Sequence, residues 1–192
     1  MTTETLATST PAALTGDYVV DSAHSRIGFV ARHAMVTKVR GQFNDFDGKA
    51  FLDFENPAGS RAEVAIEVAS IDTRNAQRDG HLRANDFFDA PTYPQITFRS
   101  TEVTKVSDEQ YQVTGDLTVK GITKPVTVDF EFNGVAKDPF GNTRVGFDGT
   151  TTINRSDFGV TFNAALETGG VLVSEKITLE FEISAIKVES AA

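Results

Sequence analysis

The chain has 192 residues, of which 40% are hydrophobic and 23% charged, a composition typical of one globular domain. Its 27 acidic and 18 basic side chains give a net charge of -9, which repels phosphate backbones and argues against nucleic acid as a partner. The sequence contains no cysteine, which excludes disulfides, thiolate nucleophiles and cysteine-ligated metals.

The chain begins with MTTETLATSTPAALTG, which lacks the basic and apolar segments of a secretory signal. No run approaches the ~20 consecutive apolar residues that a membrane-spanning helix needs. These features predict a cytoplasmic protein without stable membrane insertion. We expect residues 1–15, rich in Thr, Ala and Ser, to form a disordered tail, and residues 16–188 to form a single domain.

From Asp17 onward, apolar and polar side chains alternate. The alternation is clearest in SRIGFVAR, AEVAIEVAS, QITFRST, YQVTGDLTVKG, VTVDFEFNG, RVGFDGTTTI and EKITLEFEISAI. Such a period of two is typical of antiparallel strands with one apolar face and one polar face. If GQFNDFDGKAFLDF counts as one or two strands, the pattern predicts eight or nine strands, separated by turn sequences such as ENPAGS and KDPFGN.

The segment IDTRNAQRDGHLRANDFFDAPTYP interrupts this alternation. Asp72 or Thr73 is a suitable cap for a short helix that begins near Asn75, and Pro91 and Pro94 end the segment. We therefore expect a helix and a loop between two strands.

The charged residues of this segment allow three interpretations. In the first interpretation, they hold the irregular segment on the rim of a barrel formed by the strands. In the second, Arg78 and His81 lie near a polar headgroup at the mouth of a ligand site. In the third interpretation, His81 acts as a general base that a neighbouring aspartate orients. The segment supplies no nucleophile for that chemistry, because no Ser, Cys or Lys lies between Arg74 and Ala90.

One short helix cannot cover eight or nine strands. The apolar faces must therefore meet one another, either in two packed sheets or in one closed barrel. A closed eight-stranded barrel is filled by side chains or holds one small ligand. The alternation is compatible with both.

The three histidines suggest a second class of function. His24, His33 and His81 together would supply the ligands of a three-histidine metal site. His24 and His33 are nine residues apart, so an unbroken strand would direct them to opposite faces unless a bulge intervenes. A histidine-based metal-dependent enzyme or metal-binding protein is therefore the alternative to a ligand-binding barrel.

Four blocks of sequence resemble those of the YceI-like family, in the same order. They are DSAHSRIGFVARHAMVTKVRGQFNDFDG at 21–48, SIDTRNAQRDGHLRANDFFDAPTYPQITFRST at 70–101, GDLTVKGITKPV at 115–126 and RSDFGV at 155–160. The resemblance covers residues 17–187. It implies an all-β, lipocalin-like fold: an extended antiparallel eight-stranded barrel with a short helix near its mouth. Many relatives carry a secretory signal and are periplasmic, whereas this sequence lacks one.

The resemblance also implies an apolar tunnel that binds polyisoprenoid or similar amphiphilic chains, and no catalytic activity. We therefore expect a carrier for a polyisoprenoid, an isoprenoid quinone or a fatty-acid derivative, without enzymatic activity, cofactor or metal, and with a homodimer allowed by the outer faces. Arg78 and His81 are the headgroup candidates. The candidate ligand-contacting residues are Phe29, Ala31, Phe43, Phe46, Phe87, Phe88, Phe98, Phe130, Phe147, Phe158 and Phe181.

Overall fold

Strands dominate the computed structural model, which describes residues 10–189. The α-helices are Pro11–Leu14 (α1) and Ala76–Arg83 (α2). The strands are β1 (Gly16–Val20), β2 (Arg26–His33), β3 (Thr37–Phe43), β4 (Phe46–Leu52), β5 (Arg61–Glu67), β6 (Ile71–Asp72), β7 (Gln95–Lys105), β8 (Gln110–Val119), β9 (Ile122–Lys137), β10 (Thr143–Asn154) and β11 (Lys176–Lys187).

The sheet closes on itself because β1 pairs with both β4 and β11. The order around the barrel is β1-β4-β5-β7-β8-β9-β10-β11, and each neighbouring pair is antiparallel. The predicted eight-stranded, lipocalin-like antiparallel barrel is thereby confirmed.

Two long stretches of the barrel wall are each interrupted and so form two strands, β1 with β2 and β3 with β4. A 3-10 turn at Ser22–His24 separates β1 from β2, and residues 44–45 separate β3 from β4. The hairpin of β2 and β3 extends the wall, because β2 pairs with Thr178–Glu182 of β11 while β1 pairs with its last residues. The stretch GQFNDFDGKAFLDF therefore forms parts of two strands.

α1 lies within the segment that the sequence predicts as a disordered tail. The Leu14 side chain is buried, and its carbonyl accepts a 2.6 Å hydrogen bond from the Tyr18 hydroxyl. Lys187 Nζ donates to the Ala13 carbonyl at 2.6 Å. Residues 10–15 are thus attached to the barrel, whereas residues 1–9 of the predicted tail lie outside the described residues, and the domain limits stay a prediction.

α2 begins at the predicted position but with a different cap. The Asn75 side chain, and not that of Asp72 or Thr73, accepts the Arg78 N–H at 2.9 Å. Asp79 in the first turn is buried and accepts the Thr73 backbone N–H at 2.9 Å. The helix is therefore fixed to the residues that follow β6.

The two ends of the barrel differ in their connections. We call one the α2 end, where β7 begins after α2, β8 turns into β9, and a 3-10 turn at Arg155–Phe158 follows β10. We call the other the hairpin end, where residues 53–60, 106–109 and 138–142 connect successive strands. The main apolar core fills the α2 end and includes the buried side chains of Phe46, Val68, Ile71, Phe87, Val119 and Phe158.

Candidate functional site

A cavity of about 230 Å³ lies inside the barrel and extends from its middle to the hairpin end. Five of the predicted ligand-contacting residues line it: Phe43, Phe98, Phe130, Phe147 and Phe181. Aliphatic side chains that include Val64, Val113 and Leu179 complete its walls. The lining is therefore almost entirely hydrocarbon, which suits an apolar ligand.

The cavity accounts for an unusual property of the inward-facing phenylalanines. Phe98, Phe130, Phe147 and Phe181 are only half-buried, although their side chains point into the barrel. A phenylalanine in a filled core would be fully buried, because close-packed interiors leave few voids. These rings border empty space along the barrel axis.

Glycines on the strands next to two of the phenylalanines keep this space open. Phe130 pairs with Gly149 across β9 and β10, and its ring occupies the place of a side chain at Gly149. A Cβ added to Gly115 on β8 would lie 2.5 Å from Cζ of Phe98. Because glycine has no side chain, both rings can lie along the wall instead of crossing the barrel.

The other six predicted ligand-contacting residues do not line the cavity. Phe46, Phe87 and Phe158 are buried in the core at the α2 end. Phe29 and Phe88 are partly buried and each packs against Phe43, with ring centroids 5.8 Å and 6.3 Å away. Ala31 lies farther along β2, opposite Val39. For these six residues, contact with a ligand stays a prediction.

The predicted headgroup residues also lie away from the cavity. Arg78 donates to the Thr73 hydroxyl and to the Thr73 carbonyl, both at 2.7 Å. His81 Nε2 lies 2.6 Å from Asp86 Oδ2, and its ring packs edge-on against Phe87 and Phe162 at centroid distances of 4.9 Å and 4.8 Å. Neither residue lines the cavity, so a headgroup role for them stays a prediction.

The charged side chains of α2 bond to backbone groups in and next to the short strand β6. Arg83 donates to the carbonyls of Ala69 at 2.9 Å and Ile71 at 3.3 Å, and Asp79 and Arg78 both bond to Thr73. An irregular segment needs such partners because unpaired buried backbone groups are costly. These contacts agree with the structural interpretation of the segment.

The three histidines do not form a metal site. His24 Nδ1 lies 2.7 Å from Asp21 Oδ2, His33 ends β2, and His81 lies on α2. Within residues 10–189, no group of three or more His, Asp or Glu side chains is arranged to hold a metal ion. A bulge within one strand cannot bring His24 and His33 to the same face, because the 3-10 turn places His24 outside β2.

Sequence reasoning missed the part of the site at the hairpin end. Leu52, Phe54 and Pro57 line the cavity there, together with Val103 and Tyr111. Phe54 and Pro57 belong to DFENPAGS, which has the composition of a simple turn. Val103 lies just beyond a bulge in β7, where the pairing with β8 shifts register between Ser100 and Glu102. The inward position of Tyr111 follows from the pattern of β8, because Tyr111 and Val113 are two residues apart and share a face.

An ion-pair network fixes the β9–β10 turn at the hairpin end. Arg144 Nη1 lies 2.6 Å from Asp21 Oδ2, and its Nε lies 2.8 Å from Asp138 Oδ2. The hydrogen bond from Arg144 lowers the pKa of Asp21. Burial raises the pKa of Asp138, but hydrogen bonds from Asn142 and Arg144 outweigh that effect and hold it well below its usual range.

Behind this network, Tyr18 closes the space between α1 and the barrel. Its side chain is 1% exposed, and burial raises the pKa of its hydroxyl to about 12. Its ring packs near Phe54, which in turn packs against Phe132 at a centroid distance of 5.6 Å.

Within residues 10–189, no helix has the length and apolarity to cross a bilayer.

Comparison with known proteins gives consistent matches. A family model described as YceI-like domain matches residues 18–185. A UPF0312 protein of Staphylococcus aureus is 42% identical over 170 residues, which cover 88% of this chain and 95% of that protein.

Two solved structures extend the comparison to three dimensions. BcnA of Burkholderia cenocepacia superposes with a TM-score of 0.76 at 30% identity, covering 86% of this chain and 98% of that one. A polyisoprenoid binding domain from Saccharophagus degradans, implicated in plant cell wall breakdown, gives a TM-score of 0.67 at 15% identity, covering 89% and 98%. At that identity the second match shows a shared fold.

Proposed function

Because this chain belongs to the YceI-like family, we propose that its barrel binds the apolar chain of an amphiphilic lipid. The observation that carries the proposal is the cavity of about 230 Å³ with phenylalanine and aliphatic walls. Removing hydrocarbon from water is worth ~0.8 kcal/mol per CH₂, so an apolar chain gains affinity without polar contacts. Phenylalanine walls suit such a chain because they demand no hydrogen bond from it.

The size of the cavity limits how much of a ligand it holds. Its volume of about 230 Å³ exceeds the ~150 Å³ of an apolar cavity that binds benzene, but is below the ~300 Å³ at which drug-sized pockets begin. We therefore propose that the enclosed part is a short segment of the chain. The remainder of a long lipid extends past Phe54 and Pro57 at the hairpin end.

A prenyl chain is the first candidate ligand. The Saccharophagus degradans domain, whose name records polyisoprenoid binding, shares this fold, which supports the choice of an isoprenoid. An isoprenoid quinone and a fatty-acid derivative present the same kind of apolar chain. In this proposal the protein stores or carries its ligand.

Binding without catalysis is part of the proposal. The His81–Asp86 pair lies at the packed α2 end, against Phe87 and Phe162, and not in the cavity. A cytoplasmic location and a homodimer stay predictions from the sequence.

The first test is mass spectrometry of the intact protein under native conditions, followed by organic extraction and lipid analysis of the same sample. We expect a mass excess that extraction recovers as a long-chain lipid, or uptake of an added polyprenyl lipid by the unliganded protein. A mass that stays unliganded after incubation with polyprenyl lipids would contradict the proposal. Parallel incubation with a divalent metal ion tests the histidine-based alternative.

A matched pair of variants locates the ligand. Val113 lines the cavity, whereas its neighbour Gln112 faces solvent on the same strand. Val113→Phe fills part of the cavity, and we expect it to lower lipid occupancy at least tenfold. Gln112→Phe adds the same ring outside the barrel, and we expect it to leave occupancy unchanged. Equal effects of the two variants would show that the lipid binds elsewhere.

A further inference from the structure

The turn of the β2–β3 hairpin exposes two large apolar side chains. Met35 and Val36 are 56% and 75% exposed. Ala34 and Met35 have positive φ angles of 51° and 64°, which are uncommon for residues other than glycine. The turn therefore presents both apolar side chains to solvent in a backbone conformation that itself costs free energy.

The same hairpin concentrates positive charge. No Asp or Glu occurs between Arg26 and Phe43, although the whole chain has a net charge of -9. Arg32 and Lys38 lie directly opposite each other on the paired strands. Like charges in that position destabilise a sheet.

These two cations have no acidic partner in the part of the chain that the structure describes. Glu180 on β11 pairs with Arg26 at 3.5 Å and with Arg40 at 3.6 Å, nearer the base of the hairpin. Arg32 and Lys38, closer to the turn, form no ion pair within residues 10–189. Two exposed apolar side chains thus adjoin two uncompensated cations.

We propose that this hairpin docks on the surface of a lipid bilayer that contains anionic lipids. Met35 and Val36 enter the interfacial region, and Arg32 and Lys38 contact the headgroup phosphates. A nucleic acid would satisfy the cations but would leave the two apolar side chains in water. The acidic character of the remaining surface restricts contact with an anionic bilayer to the hairpin, and so fixes the orientation of the protein.

The expected binding is weak and reversible. Each cation near an anionic membrane surface contributes about fivefold to the partition coefficient. Removing both should therefore weaken binding about 25-fold. Raising the salt concentration should weaken it as well, because exposed charges are screened.

The first experiment measures partitioning of the full chain onto vesicles made of equal parts phosphatidylcholine and phosphatidylglycerol. We expect Arg32→Gln combined with Lys38→Gln to lose binding without loss of thermal stability, since the two cations repel each other. Lys124→Gln combined with Lys137→Gln removes the same charge from exposed positions on β9 and serves as the matched control.

The second experiment reports the depth of the turn. The chain contains no tryptophan, so Val36→Trp introduces a single tryptophan, whose emission can be excited separately from that of the three tyrosines. We expect its emission to shift to shorter wavelength on these vesicles and to be quenched by brominated lipid chains. Val106→Trp, at an exposed apolar position in the β7–β8 turn that is 61% exposed in the parent, should show neither change.

Several outcomes would overturn the proposal. They are absence of vesicle binding, equal binding to vesicles of phosphatidylcholine alone, and equal loss of binding in the Lys124 and Lys137 control. Tighter binding of single-stranded RNA than of vesicles would assign the hairpin to nucleic acid instead. All these variants leave the cavity residues intact, so lipid recovered by extraction should not change, and a failure here is distinguishable from a failure of the cavity proposal.

Discussion

The ring of Phe130 covers Gly149, its partner on the neighbouring strand, at the position where any other residue would place a side chain. This pairing explains how a barrel with many phenylalanines stays hollow. A ring that lies along the wall occupies the volume of the absent side chain and not that of the barrel axis.

The pairing makes a direct prediction for Gly149→Ala. The added methyl group would overlap the ring of Phe130, so the ring must turn toward the axis and reduce the cavity. We expect lower lipid occupancy by native mass spectrometry and a loss of about 1–3 kcal/mol in the free energy of unfolding. Gly146→Ala is the control on the same strand, since its Cβ would lie 3.6 Å from its nearest neighbour, Asn133 Cβ. If both variants bind lipid equally, the glycine does not keep the cavity open.

His81→Ala distinguishes the two classes of function. Because His81 lies at the α2 end and does not line the cavity, we expect lipid affinity to change less than twofold. The variant loses an exposed contact with Asp86 and edge-on packing against Phe87 and Phe162, which together should cost about 1 kcal/mol of stability. Lipid titration and thermal unfolding measure the two effects. A large loss of binding, or of an activity that the parent shows, would support the histidine-based alternative.

Arg155 should contribute strongly to stability. Its side chain is 5% exposed and donates hydrogen bonds of 2.8 Å to the carbonyls of Ser174, Val160 and Phe162. Arg155→Met leaves these carbonyls without that donor, and we expect a loss of about 3 kcal/mol or more in urea unfolding. Arg99→Met, at a side chain that is 79% exposed, is the control and should cost less than about 1 kcal/mol. Similar losses in both variants would contradict this role.

The Arg144 network predicts how stability depends on pH. The pKa values of Asp21 and Asp138 are lower in the folded protein than the ordinary value of 3.8, so the unfolded chain binds more protons in acid. Their stabilisation is complete above about pH 5, where the unfolded carboxyls are also ionised, and is lost progressively as the pH falls toward the folded pKa values. We expect the difference in Tm between the parent and Arg144→Gln to narrow as the pH falls from neutral to about 3. A difference that stays constant over this range would rule out the network as its source.

The alternation predicted antiparallel strands with one apolar face, because it reports which side chains share a face, and the resemblance to the YceI-like family selected a closed barrel over two packed sheets. The alternation placed Phe98, Phe130, Phe147 and Phe181 inside, and all four line the cavity. It could not separate them from Phe87 and Phe158, which lie inside but in the packed end. Periodicity carries no information about position along the barrel axis, and that position decides which inward residues border empty space.

The same limit explains the placement of Arg78 and His81. Their residue types suggested a polar site, and the segment around them was correctly expected to contain a helix. Whether that helix lies at an open or a packed end depends on how Phe46, Phe87 and Phe158, distant in sequence, pack together. Short-range patterns do not encode such a cluster.

Closure of the barrel by β1 and β11 has a consequence for how the chain folds. The contact between Ala13 and Lys187 joins groups 174 residues apart in sequence. Such long-range pairing raises contact order, and proteins of high contact order fold slowly. During synthesis, β11 is the last of the barrel strands to emerge from the ribosome, so β1, β2 and β10 each keep an unpaired edge until the other strands have emerged. The nascent barrel is thus exposed to aggregation for longer than a helical protein of the same length.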